Sequence, residues 1–269
     1  MPGGGDVSMG VPVAYMYDGS FEGFLCCVYD SVYRREMPLS VTREEDAPML
    51  LDQARFVVTD QARAARVKAS IPEKISGRAL ELTVTVFCSC LDNKELRLLR
   101  FLLRGYKEGG NLCYKLGDEL VAVLLAAERH LLHEAHLLKG FTRFMQAEDA
   151  LVAQITPKNY ILPFIAQHFS LRLKTENFVI MDKTHHTALV HREGRTELLR
   201  VERFELPQPG PREKHWQELW KRFYNTIAIE GRENPRCRMS HMPKRYWENM
   251  PEVKELLRGK NAPSCVHRV

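Results

Sequence analysis

The apolar positions of this chain change their period near residue 140. Up to that point they recur mostly at helical spacing. Val13–Tyr17 is a short apolar run closed by Asp18-Gly19, a turn signal, and reads as a strand. Ser20 can cap a following helix with Phe21, Phe24, Leu25, Val28 and Val32 on one face. Arg34–Pro48 is polar, holds two prolines and reads as a loop; Phe56–Thr59 is a candidate second strand before a helix over Asp60–Lys74. Helices are then expected over Arg78–Ser89, over Asn93–Lys107 with its stop at Gly109-Gly110, and over Asp118–Lys139.

Beyond Gly140 the runs shorten and alternate. Phe141–Gln146 and Ala150–Ile155 suggest a hairpin about Glu148-Asp149, followed by a helix over Asn159–His168. Phe178–Asp182 and Thr187–His191 suggest a second hairpin about Lys183–His186, joined by Glu197–Val201. This strand-strand-helix-strand-strand order predicts a small antiparallel sheet covered by a helix. Pro207–Pro211 reads as a linker. Arg212–Ile229 is an amphipathic helix bearing Trp216, Leu219, Trp220, Phe223, Tyr224 and Ile227, and Trp220 and Tyr224 are read as core residues. The predicted class is therefore α+β: a flexible extension over 1–12, a mainly helical part over 13–138, and an α+β part with C-terminal helices over 139–269.

Charge sharpens the division. Residues 1–138 hold 16 Lys and Arg against 19 Asp and Glu, a balance of −3, whereas residues 139–269 hold 23 against 15, a balance of +8. A cationic surface confined to one part suits a polyanionic partner. Residues 230–252 concentrate it: Arg232, Arg236, Arg238, Lys244, Arg245 and His241 surround the adjacent Tyr246 and Trp247. Guanidinium groups meet phosphates and flat rings stack on bases, so this segment is the candidate nucleic-acid surface, with Asn234 beside Pro235 as a contact or a turn former. A core role for Tyr246 and Trp247 is the competing reading.

The remaining chemistry is sparse. Seven cysteines form no framework spacing, which fits reduced thiols in a cytoplasmic protein, and no metal or cofactor is expected. His133-Glu134-Ala135-His136 lacks the four-residue ligand spacing of a zinc peptidase helix, so Glu134 or His136 is expected to bond to backbone or to an arginine. No phosphate loop, nucleophile elbow, signal peptide or membrane span is recognisable. Should the chain be an enzyme, Glu134, His136, His168 and Asp182 are its candidate acid/base groups.

Several separated motifs resemble one family. They are Tyr17-Asp18-Gly19-Ser20-Phe21-Glu22-Gly23-Phe24, Phe141-Thr142-Arg143-Phe144, Pro157-Lys158-Asn159-Tyr160-Ile161-Leu162, Gln167-His168-Phe169, Leu219-Trp220-Lys221-Arg222-Phe223-Tyr224, the segment Ile229–Pro235, and Met242-Pro243-Lys244-Arg245-Tyr246-Trp247. The chain so resembles the bacterial "probable DNA metabolism protein" family, whose C-terminal part is the domain of unknown function 4130. The resemblance implies a DNA-metabolism or repair role beside a radical-SAM DNA-modification or repair protein, and in some relatives fusion to a uracil-DNA-glycosylase-type domain. The clustered three-cysteine motif of a radical-SAM enzyme is missing here, so this chain is not that partner. Asp182-Lys183-Thr184-His185-His186 stands where the family carries a basic pair after the aspartate. Expected site residues on this reading are Arg143, Arg232, Asn234, Arg236, Arg238, Lys244, Arg245, Tyr246 and Trp247. The expectation is an accessory protein that binds DNA; an enzyme acting on nucleic acid and a protein-docking scaffold are the alternatives.

Overall fold

The computed structural model describes residues 13–46, 54–203, 206–227 and 234–254. The chain is mixed α+β and divides into two compact units, residues 1–131 and 132–269.

In the first unit, β1 (Ala14–Tyr17) is the middle strand of a three-stranded parallel sheet, between β2 (Ser40–Arg43) and β3 (Ala54–Phe56). The stretch expected to be a loop thus contains β2. Only Val41 of that strand is buried, so its polar sequence carries no apolar signature. Helix α1 (Phe21–Arg34) starts where Ser20 Oγ accepts the Gly23 N–H, and α2 (Gln61–Lys74) starts where Asp60 accepts the Arg63 N–H. α3 (Gly77–Phe87) is capped by Ser76, and α4 (Lys94–Glu108) stops at Gly109, whose φ of 74° favours glycine. One core joins Tyr15, Tyr17, Phe24, Leu82, Leu98, Phe101 and Leu102. Cys26, Cys27 and Cys113 belong to it as small apolar groups.

The long helix α5 (Glu119–Phe141) leads into the second unit. There, β4 (Phe144–Ala147), β5 (Ala150–Ile155), β6 (Phe178–Asp182), β7 (Thr187–Arg192) and β8 (Arg195–Arg200) form one sheet in sequential order. Both predicted hairpins are present. The sheet is nevertheless mixed, because β5 and β6 pair in parallel, Leu151 against Phe178 through Ile155 against Asp182. α6 (Leu162–Arg172) connects these two strands, and a helical crossover between sheet neighbours leaves them running the same way. α7 (Pro211–Thr226) and α8 (Pro235–His241) follow, and then a 3-10 segment, Lys244–Asn249. Among the described residues no helix is long and apolar enough to cross a membrane.

Candidate nucleic-acid interface

Glu134, from α5, is 1% exposed and organises the centre of the second unit. Its carboxylate accepts the backbone N–H of Lys158 at 3.0 Å and of Asn159 at 2.8 Å, and the Asn159 side-chain amide at 2.6 Å. Arg245 Nη2 donates to it at 2.7 Å and the Tyr246 hydroxyl at 3.0 Å. Burial alone would raise the pKa of this carboxyl. The two backbone donors, Asn159 and the Arg245 charge outweigh burial and hold it below the ordinary glutamate value. The cluster joins α5, the loop before α6 and the 244–249 segment. Every lone pair is directed at a protein donor, which makes it a structural clamp.

That clamp fixes several expected site residues. Tyr246 is 2% exposed and Trp247 6%. The Arg245 guanidinium lies 4.6 Å from the Tyr246 ring centre, and Trp247 Nε1 donates to the Met242 carbonyl at 2.9 Å. Neither ring offers a face to a base, so the core reading of this pair describes its placement. Arg245 is tied to Glu134, and Arg143 donates twice to Glu252, at 2.9 and 2.7 Å. Asn234 caps α8 by accepting the Cys237 N–H at 3.0 Å, the turn-forming alternative. Arg236, Arg238 and Lys244 make no ion pair among the described residues; Arg232 lies outside them.

The acid/base candidates do not converge. His136 is exposed on α5. His168 has a buried Nε2 without a hydrogen-bond partner, and burial, with Lys139 and Arg172 nearby, lowers its pKa. Asp182 is fully buried; it accepts the Thr184 and His185 N–H groups and pairs with His185 Nδ1 at 2.6 Å. Neither His168 nor Asp182 bonds to Glu134.

The accessible aromatic surface lies elsewhere. No residue of α7 is buried; Trp216 is 54% and Trp220 40% exposed, against the expected core role of Trp220, and Tyr224 is half-buried. Both indoles line an open groove of about 900 Å³ with Arg143, Lys183 and Lys254, whose floor includes Val152, Gln154 and Asn249. The Arg143 guanidinium sits 5.7 Å from the Trp220 ring centre. Glu213 anchors α7 by accepting the Gln146 N–H at 3.0 Å and the Gln217 amide at 2.9 Å. The sequence had pointed to this groove through Arg143, an expected site residue, and through the aromatic stripe of the helix carrying Trp216 and Trp220. Such a stripe reads as core unless the packing partner is known.

This arrangement defines a class: an α+β protein whose basic C-terminal unit carries an open groove edged by two indoles and three cations, with the carboxylates of Glu213 and Glu248 also in its lining. Residues 92–252 match the family described as "Domain of unknown function" (DUF4130), and the chain belongs to that family. Comparison with curated proteins finds no match. Among the described residues no group of three or more His, Cys, Asp and Glu side chains is arranged to hold a metal ion.

Proposed function

We propose that this protein binds single-stranded nucleic acid in the groove of its second unit, as an accessory factor in DNA metabolism. The observation that carries the reading is the pair of half-exposed indoles, Trp216 and Trp220, in one groove with Arg143, Lys183 and Lys254. Bases stack on exposed rings, and a strand's phosphates meet the cations that line its path. A width open to solvent suits a strand better than a duplex, whose bases are already stacked. On this reading the protein holds an unpaired segment for a partner enzyme, and the family resemblance makes a radical-SAM protein the partner to try first.

The test is fluorescence anisotropy with labelled single-stranded and duplex DNA across a salt series. With Lys183 and Lys254 meeting phosphates, and Arg143 held by Glu252, log affinity for the single strand should fall against log salt with a slope of about −1.4. Trp216→Ala/Trp220→Ala should weaken binding at least about tenfold, since stacking contributes roughly 1–3 kcal/mol per base. Equal binding by the double variant would sink the proposal.

One arrangement favours a second reading, an enzyme acting on nucleic acid. Buried Asp182 orients His185, which is partly exposed beside the Tyr160 ring at 5.5 Å. An imidazole held this way by a carboxylate can serve as an acid or base. His185→Gln should then abolish turnover in the presence of the partner while leaving strand binding intact; unchanged turnover rules the reading out.

A further inference from the structure

The first unit contains a cleft unrelated to the groove. It lies among α1, α2 and α4, has a volume of about 680 Å³, and is floored by Val28, Val67 and Leu103. Small-molecule sites typically occupy roughly 300–1,000 Å³ and combine apolar walls with few polar groups. Three tyrosines line this one. Tyr29 and Tyr33 are stacked with ring centres 6.0 Å apart and planes 8° from parallel, and Tyr33 is largely exposed. The third, Tyr106, is bonded to Ser70 at 2.7 Å. Ser70 Oγ donates to the Val67 carbonyl, so the Tyr106 hydroxyl donates to Ser70 and keeps its capacity to accept.

The charges are one-sided. Arg35, Arg66, Lys74 and Lys107 line the same cleft, are exposed, and make no ion pair among the described residues. The single carboxylate present, Glu36, is already engaged by the Tyr15 hydroxyl at 2.5 Å and by Arg55. Arg35 takes its place at the rim with a φ of 55°, a conformation usually left to glycine or asparagine at a helix end. The first unit as a whole carries slightly more acidic than basic residues, so four unpaired cations around one aromatic cleft run against its local average.

From this juxtaposition we propose that the cleft binds a small aromatic phosphate of the nucleoside monophosphate class. The flat base lies against the exposed outer face of Tyr33, since Tyr29 is stacked on Tyr33 and has the Arg63 guanidinium 5.4 Å from its ring centre; the Tyr106 oxygen accepts from the sugar or base, and the phosphate dianion is met by Arg66, Lys107 and their neighbours. An acyl chain would use the apolar wall but leave the tyrosine faces and the free acceptor without purpose.

Isothermal titration of the full chain with AMP is the test, with adenosine, inorganic phosphate and naphthyl phosphate as comparison ligands. AMP should saturate one site, and adenosine and phosphate should each bind at least about tenfold more weakly, the loss of one charge-assisted contact or one stacked ring. Naphthyl phosphate binding as well as AMP assigns the site to aromatic phosphates at large; weaker binding assigns it to nucleotides. Arg66→Ala/Lys107→Ala, two exposed positions, should lower AMP affinity by a further factor of about ten or more. Trp216→Ala/Trp220→Ala should leave it unchanged, which separates this site from the nucleic-acid groove. The proposal fails if AMP does not saturate, if phosphate alone binds as tightly, or if the Arg66/Lys107 variant binds AMP like the parent protein.

Discussion

At the scale of single residues, Glu134 is the group on which the C-terminal unit depends most. Replacing it with alanine leaves two backbone donors, an amide, a hydroxyl and the Arg245 charge without their acceptor. Breaking a buried ion pair from one side costs about 3–5 kcal/mol, so Glu134→Ala should shift the urea midpoint strongly downward at neutral pH. Arg245→Ala should do so from the other side, and it is therefore a poor probe of nucleic-acid binding. The pH dependence has a definite sign. The folded-state pKa of Glu134 lies below its unfolded value, so its stabilisation is present above about pH 4.3 and lost as pH falls through the lowered value. For His168 the folded pKa is also depressed, so protonation disfavours the fold and stability should decline as pH drops below about 6.5. Urea titrations at stepped pH on the parent protein and His168→Phe should separate the two, with the variant losing only the higher step. That Glu134 would bond to backbone or to an arginine was expected and is found, but that the arginine is Arg245, 111 residues away, was not visible in the sequence. A charged residue on a mixed helix face looks alike whether it meets water or a partner from the far end of the chain.

At the scale of elements, the start of α1 shows how a readable local signal can hide a tertiary demand. The Asp18-Gly19 turn and the Ser20 cap follow from residue chemistry, and both are present. Gly23 carries no such signal, yet a Cβ there would lie 2.3 Å from Asp18 Oδ1 and 2.8 Å from Thr59 Oγ1. Asp18 is the acceptor for Ser20 and Thr59, so it cannot yield without losing those bonds. Gly23→Ala should therefore destabilise by about 1–3 kcal/mol, even though alanine favours a helix interior by about 1 kcal/mol over glycine. Thermal unfolding would read this, and an unchanged or raised Tm would contradict it. The parallel pairing of β5 with β6, and of β1 with both its neighbours, was illegible for a different reason. Period identifies a strand, but partner direction is set by the crossover that precedes it. α7 reverses the lesson: its apolar stripe was plain, but among the described residues nothing buries it.

At the scale of the whole molecule, the charge division along the chain corresponds to two different kinds of surface. The second unit carries the excess of cations and the groove with Trp216 and Trp220; the first carries the tyrosine-lined cleft with its own small set of unpaired cations. The sequence located the basic region but placed its stacking rings at Tyr246 and Trp247. Those two rings lie under the Glu134 clamp, because adjacent aromatics in a proline-punctuated segment are useful for closing a core. The chain has three tryptophans, Trp216, Trp220 and Trp247, which makes the distinction directly measurable. Intrinsic tryptophan fluorescence should be followed as unlabelled single-stranded DNA is added to the parent protein and to Trp216→Phe/Trp220→Phe, whose sole indole is the buried Trp247. Saturable quenching is expected in the parent and essentially none in the variant. Quenching that persists when Trp247 is the only indole, or parent fluorescence that stays flat while DNA is bound, would contradict it.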